Sequence, residues 1–115
     1  MTTPEPTVTQ VTDSVPPHFA INLGDTRAGL TAYVDHGGQR IFFHTEIGDA
    51  YAGQGLASKL IGAALTATRA AGKRIVPICP FVKAYVEKHH DFDDILDPVT
   101  PEAEAAVESA LGRPR

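Results

Sequence analysis

The sequence predicts an α+β fold in which an antiparallel meander is followed by a strand–helix–strand unit and by further helices at the C-terminal end. Three observations carry this prediction. Short β-rich segments separated by turn residues fill residues 19–47, helical periodicity covers residues 53–72, and an apolar segment over residues 73–79 returns to strand. The two strands that flank the helix are expected to be parallel, with a right-handed crossover, so the predicted sheet is mixed.

Length and composition fit one such domain. The chain has 115 residues, of which 43% are hydrophobic, and this is enough for a single core. One cysteine excludes an internal disulfide framework, and no apolar run approaches the roughly 20 residues of a membrane-spanning helix. The N-terminal segment lacks the basic and apolar regions of a signal peptide, so we expect a cytoplasmic protein without membrane contacts.

The charge pattern argues against nucleic acid as a partner. The net charge is −4, and residues 87–108 contain eight acidic residues and one basic residue. No basic stripe is present of the kind that nucleic-acid binding requires. The acidic C-terminal quarter is most simply interpreted as a solvated face.

Three segments are predicted along the chain. Residues 1–17 are rich in threonine and proline and are expected to be a disordered leader. Residues 18–97 form the domain, and residues 98–115 form a helical extension.

The meander is predicted from strands at residues 19–23, 30–34 and 40–47, with turn residues between them. On the third strand, a period of two places Phe42, His44 and Glu46 on one face. The other face would then carry Ile41, Phe43, Thr45 and Ile47. His44 and Glu46 are candidate bases, although each residue alone is more often a structural or solvated strand residue.

The helical boundaries are predicted from capping signals. Gly72 can stop the first helix, Pro80 can open a second helix over residues 80–90, and Thr100 can cap a third helix that begins at residue 101 and ends at Gly112. Pro77 removes one ladder hydrogen bond, so the strand over residues 73–79 is expected at a sheet edge or to be irregular.

A glycine-rich turn precedes the first helix. Gly53 and Gly55 let the backbone approach a ligand, and the free N–H groups and dipole of the helix N-terminus favour a phosphate. Lys59, one turn further, can add a positive charge. An ordinary turn and cap is the alternative. Ser58 excludes the dinucleotide fingerprint, and the P-loop sequence is absent.

The only cysteine, Cys79, ends the second parallel strand just before Pro80. A position near a helix N-terminus lowers the pKa of a thiol and makes it more reactive, whereas a buried core cysteine is the commoner alternative. The carboxyl ends of parallel strands lie side by side. We therefore expect Glu46, Cys79 and the glycine-rich turn to meet at one place.

These residues resemble the GCN5-related N-acetyltransferase (GNAT) superfamily, and within it the small single-domain acetyltransferase-like subgroup. The matching strings are FHTEI (43–47), GQGLASKLI (53–61) and CPFVKAYVEKHHDFDDIL (79–96). The resemblance implies a mixed sheet whose two parallel strands splay apart to admit acetyl-CoA. This sequence departs from the family pattern at Ala50, where glutamine or arginine is usual, and at Gly48, where the subgroup often has proline.

The resemblance also implies roles for individual residues. The backbone of a loop would bind the pyrophosphate of CoA, through Ala52, Gly53, Gln54, Gly55, Leu56 and Ala57. The backbone of Glu46 and Ile47 would bind the pantetheine arm, and Lys83 and Lys88 are candidates for the CoA phosphates.

Catalytic roles follow from the same resemblance. Cys79 matches the position of a proposed active-site thiol, Glu46 acting through water is the candidate base, and Tyr85 is the candidate acid. A core role beside Val82 and Val86 is the alternative for Tyr85. A Cys79→Ala variant separates direct transfer, which it would preserve, from a route through an acetylated Cys79.

The predicted function is therefore an acetyl-CoA-dependent N-acetyltransferase, without a metal, that acts on a small-molecule or peptide amine. One alternative is a CoA or acyl-CoA binding module with little catalysis, as in a sensor or interaction protein. Another alternative is a redox-sensing thiol protein, which is disfavoured because no second cysteine is present. A homodimer could supply the acceptor-binding surface that so small a domain lacks.

Overall fold

The computed structural model describes residues 5–14, 16–49 and 55–112. In order along the chain, its strands and α-helices are β1 (Pro6–Val11), β2 (His18–Leu23), β3 (Thr26–His36), β4 (Gln39–Ile47), α1 (Leu56–Ala70), β5 (Arg74–Pro77), α2 (Pro80–Lys88) and α3 (Pro101–Ala110). A 3-10 helix over His90–Ile95 follows α2.

All five strands form one sheet in the order β1-β2-β3-β4-β5. The first four strands are antiparallel, and β4 pairs with β5 in parallel across α1. The mixed sheet, the meander and the C-terminal helices confirm the fold class predicted from the sequence. Strand β5 lies at an edge and contains Pro77, as the sequence indicates.

The structure differs from the sequence prediction within the expected disordered leader. Strand β1 pairs with β2 from Pro6 opposite Leu23 to Val11 opposite His18. The segment TVTQV is rich in β-branched residues, and Val8 packs against the core. Pro6 is the first residue of an edge strand, which is one of the few strand positions that tolerate proline.

The parallel strands separate after only four pairs. Pairing runs from Gln39 opposite Arg74 to Phe42 opposite Pro77. Beyond this point the N–H groups of Ile78 and Cys79 both donate to the carbonyl oxygen of Phe42, over 3.1 and 2.9 Å. Strand β4 continues to Ile47 with β3 as its partner in the sheet. This separation is the splay that the family resemblance implies.

A β-bulge in β4 changes which side chains share a face. Tyr33 lies opposite Phe42 and Ala32 lies opposite His44, so Phe43 is an extra residue on β4. An extra residue reverses the alternation of the strand beyond it. The prediction that Phe42 shares a face with His44 and Glu46 is therefore wrong.

Two apolar layers lie on the two faces of the sheet. The larger one packs beneath α1 and α2 and includes Phe19, Tyr33, Phe42, Leu60 and Leu65. The smaller one packs beneath α3 and consists of Val34, Ile41, Val76, Ala103 and Val107. Phe43 joins the smaller layer and Ile47 joins the larger one, as the bulge requires.

The predicted helix boundaries are largely confirmed. Helix α1 is followed by Gly72 in the left-handed conformation, with a φ of 73°. The side-chain oxygen of Thr100 accepts a hydrogen bond from the N–H of Ala103 over 3.1 Å and so caps α3. Helix α2 ends at Lys88, two residues before the predicted end. No helix in the described ranges is long and apolar enough to cross a membrane.

Candidate active site

The candidate site lies where β4 and β5 separate, between two grooves on opposite faces of the sheet. The first, called here the α1–α2 groove, has a volume of about 410 Å³ and is lined by Ala57, Ser58, Ile61, Pro80, Phe81, Ala84, Tyr85, Lys88 and His89. The second, called here the α3 groove, has a volume of about 500 Å³ and is lined by Pro16, Phe43, His44, Ile78, Glu104, Val107, Glu108 and Leu111.

The start of α1 borders the α1–α2 groove. Gly55 is the N-cap residue, with a φ of 73° and no side-chain capping bond, and the first turn contains no acidic residue. The first N–H groups of a helix lack intrahelical partners and favour an anion. Of the predicted phosphate loop, residues 52–54 lie outside the described residues, whereas Gly55, Leu56 and Ala57 stand at this helix start.

Cys79 is buried, with 1% of its surface exposed, at the N-cap position of α2. Its thiol donates a hydrogen bond to the hydroxyl of Thr45 over 3.1 Å. The Thr45 hydroxyl lies 3.0 Å from that of Thr31. A nucleophilic or redox-sensing thiol must be accessible, so this burial favours the core alternative for Cys79.

His44 and Glu46 lie on the other face of the sheet. Nε2 of His44 is 3.0 Å from a carboxylate oxygen of Glu46, and both side chains are largely exposed. The bulge at Phe43 therefore separates this pair from Cys79, which belongs to the opposite apolar layer. Glu46 and Cys79 are near the same strand ends but do not share a face.

His44 is a functional candidate that the sequence prediction did not retain in its catalytic set. It lines the α3 groove, whereas Glu46, with which it pairs, does not. The signal in the sequence is the spacing of two residues between a histidine and a glutamate on one strand, which places both side chains on one face.

Of the three predicted site residues on α2, Tyr85 and Lys88 line the α1–α2 groove and Lys83 does not. Tyr85 is half-buried, its ring lies 4.4 Å from that of His89, and its hydroxyl occupies the space beside Gly62 of α1. Lys88 lines the α1–α2 groove. Lys83 is exposed on α2, outside the groove lining.

A family model described as GCN5-related N-acetyl-transferase matches residues 18–95. The chain belongs to this family. The match spans the chain from the start of β2 to the end of the 3-10 helix, and α3 lies beyond it. A search of curated proteins found no match.

Membership in the GCN5-related N-acetyltransferase family supports an acetyltransferase-type function, and such proteins generally use acetyl-CoA. The residues of this chain fit that ligand in three ways: a gap beyond Phe42 between the parallel strands, an uncapped helix start free of acidic residues, and an apolar groove beside both. Within the described residues, no group of three or more histidine, cysteine or acidic side chains is placed to hold a metal ion.

Proposed function

We propose that this chain is an acetyl-CoA-dependent N-acetyltransferase that acts on an amine. The observation that carries the proposal is the split between β4 and β5, which lies between grooves on both faces of the sheet. Donor and acceptor can therefore approach the same gap from opposite sides. The uncapped start of α1 borders one side, and the His44–Glu46 pair borders the other.

The donor would be held on the face that carries α1 and α2. Backbone N–H groups of residues 52–57 would bind the pyrophosphate, and the part of β4 that has lost β5 as a partner would bind the pantetheine arm through Glu46 and Ile47. Lys59 and Lys88 would contact the phosphates. Lys83 is a weaker candidate because it does not line the groove.

The His44–Glu46 pair would remove the proton from the acceptor amine. When Nε2 of His44 donates to Glu46, the carboxylate fixes the tautomer and the orientation of the ring, and Nδ1 is left to accept the proton of the amine. The bound thioester would supply an activated acetyl group, whose transfer forms a C–N bond, breaks a C–S bond and releases one proton from the amine. Tyr85 is the candidate that returns a proton to the departing thiolate.

The direct route is favoured over a route through Cys79. A nucleophilic cysteine must reach the acyl carbon as a thiolate, but the Cys79 thiol is buried and donates to Thr45. We assign Cys79 a packing role at the split.

Calorimetric titration with acetyl-CoA and CoA tests the donor site. A Gly55→Glu substitution puts bulk and negative charge at the helix start, and we expect at least about a tenfold loss of affinity, or 1.4 kcal/mol. Gly72→Glu is the matched control, because Gly72 has the same φ of 73° at the other end of α1 and is likewise surrounded by open space. The control should bind like the wild type.

Two outcomes would count against the proposal. If the wild type binds neither acetyl-CoA nor CoA, both the enzyme and the CoA-binding alternative are wrong. If binding is normal but no acetyl group is transferred to any amine in a broad panel, the chain is a CoA or acyl-CoA binding module.

A further inference from the structure

Gly29 of β3 lies where the free end of β4 runs closest to its neighbour in the sheet. It is buried, and it is paired with Ile21 of β2 on one side and with Ile47, the last residue of β4, on the other. Gly29 is not among the glycines with a positive φ. Backbone conformation therefore does not account for a glycine here, and the reason must be one of space.

A side chain at this position has no room. A Cβ atom on residue 29 would lie 2.5 Å from Cδ1 of Ile47 and 3.2 Å from its Cα, and it would overlap the carbonyl oxygen of Glu46. Ile47 packs against the larger apolar layer, so its side chain is not free to turn aside. A contact with a backbone oxygen is not relieved by a change of rotamer, and the end of β4 as a whole would have to move away from β3.

The same part of β4 forms the edge that faces the gap. The N–H of Gly48 donates to the carbonyl oxygen of Ala28 over 2.8 Å, so it points towards β3. Successive N–H groups of a strand point to opposite edges, so the N–H of Ile47 points to the side from which β5 has separated. Of the two residues proposed for the pantetheine arm, Ile47 is therefore the one whose N–H faces the gap.

Resting on the proposed function, we infer that Gly29 is a positioning residue of the donor site. Its lack of a side chain lets the end of β4 lie close against β3. This keeps the gap open for the pantetheine arm and holds the N–H of Ile47 where the arm can accept its hydrogen bond. Gly29 acts through β4 and not by contact with the donor.

Gly29→Ala tests this role with two ligands that differ only in the pantetheine arm. One is CoA, and the other is adenosine 3′-phosphate 5′-diphosphate, which is CoA without that arm. Calorimetry measures both affinities at a temperature at which circular dichroism shows the variant to be folded. We expect binding of CoA to weaken by about tenfold, as for the loss of one hydrogen bond, and binding of the nucleotide to change by less than about twofold. A general disturbance of the fold would not separate the two ligands in this way.

Three further variants complete the experiment. Val34→Ala is the control for lost stability, because Val34 is on the same strand but is buried in the smaller layer, and it should bind both ligands like the wild type. Ile47→Ala should bind CoA nearly as the wild type does, since only the backbone of Ile47 is assigned to the donor. Combining Gly29→Ala with Ile47→Ala removes the contact with Cδ1 and should recover part of the lost affinity. If Gly29→Ala alone does not fold, this double variant is compared with Ile47→Ala instead.

The outcomes separate this inference from the proposed function. Unchanged binding of CoA by Gly29→Ala, or an equal loss of affinity for both ligands, would overturn the role of Gly29 and leave the proposed function standing. Failure of the wild type to bind CoA or acetyl-CoA would overturn the proposed function itself.

Discussion

The two faces of the sheet differ in both size and chemistry. Fifteen buried residues form the layer beneath α1 and α2, and five form the layer beneath α3, as far as the described residues go. The Cys79–Thr45 hydrogen bond lies on the first face, whereas the exposed His44–Glu46 pair lies on the second. We therefore expect the larger layer to supply most of the stability, whereas the other face is free to carry exposed polar groups.

The largest expected effect is on stability. Leu60→Ala empties a fully buried position in the larger layer, and we expect a loss of about 3–5 kcal/mol in the free energy of unfolding. Val107→Ala in the smaller layer should cost about 1–2 kcal/mol, because the side chain is smaller and 8% exposed. Urea denaturation measures both values. Equal losses would show that the two layers contribute alike to the stability of the fold.

His44→Ala should reduce acetyl transfer without a comparable loss of stability. General-base catalysis contributes about 100-fold or more, so kcat at saturating acetyl-CoA should fall by roughly that factor. The side chain is largely exposed, and the unfolding free energy should change by less than about 0.5 kcal/mol. His90→Ala is a suitable control, because His90 is an exposed histidine that pairs with Asp93 over 3.1 Å, away from the groove lining. A full rate in His44→Ala would assign the proton transfer to another group.

Cys79→Ala should lower stability and leave acetyl transfer nearly unchanged, which is the reverse of the effect expected for His44→Ala. The substitution removes a buried sulfur and its hydrogen bond to Thr45, which we expect to cost about 1–2 kcal/mol of stability. Acetyl transfer at a temperature where the variant is folded should remain within a fewfold of the wild type. Loss of transfer with retained acetyl-CoA binding would instead support a covalent route through Cys79.

Asp97 lies where β4 and β5 are still paired, and its substitution is expected to have a smaller effect, on the pH dependence of stability. Its carboxylate accepts hydrogen bonds from Gln39 of β4 over 2.7 Å and from Arg74 of β5 over 2.6 Å. Burial raises the pKa of Asp97, but these two hydrogen bonds and the charge of Arg74 outweigh burial, so the pKa lies below its ordinary value. A lowered folded-state pKa adds stability at neutral pH that is lost as the pH falls through that value.

Asp97→Asn should therefore destabilise the protein by about 1 kcal/mol at pH 7 and by almost nothing at strongly acid pH. Thermal unfolding at several pH values measures the difference. The exposed Glu87→Gln serves as the reference for removing one negative charge. A difference that persists unchanged below about pH 3 would mean that Asp97 acts through packing and not through its charge.

Most of the fold can be predicted because its elements carry local signals. Gly72, Pro80 and Thr100 mark helix boundaries by conformational and capping preferences that need no tertiary contact. Strand β1 is harder to predict from the sequence, since threonine and proline in a short segment are equally typical of a disordered leader. Only the pairing with β2 decides between them.

The candidate site is less predictable, because it depends on one irregularity. A bulge has no residue signature in the sequence around Phe43, and strict alternation gives the wrong face for His44 and Glu46. Helix α3 is visible in the sequence through its cap and its apolar spacing. Its position against the sheet is set by the long-range packing of Val107 in the smaller layer, which local patterns do not encode.

The outer edge of β5 has a consequence for behaviour at high concentration. Leu96 forms a parallel bridge with Ile75, and the N–H of Asp97 donates to the carbonyl oxygen of Ile75 over 2.8 Å. Pro77 has no N–H to offer, so this edge presents little that a further strand can pair with. Addition of another chain to the sheet is therefore disfavoured at β5, and the shortness of this four-residue strand adds to the protection against edge-to-edge aggregation.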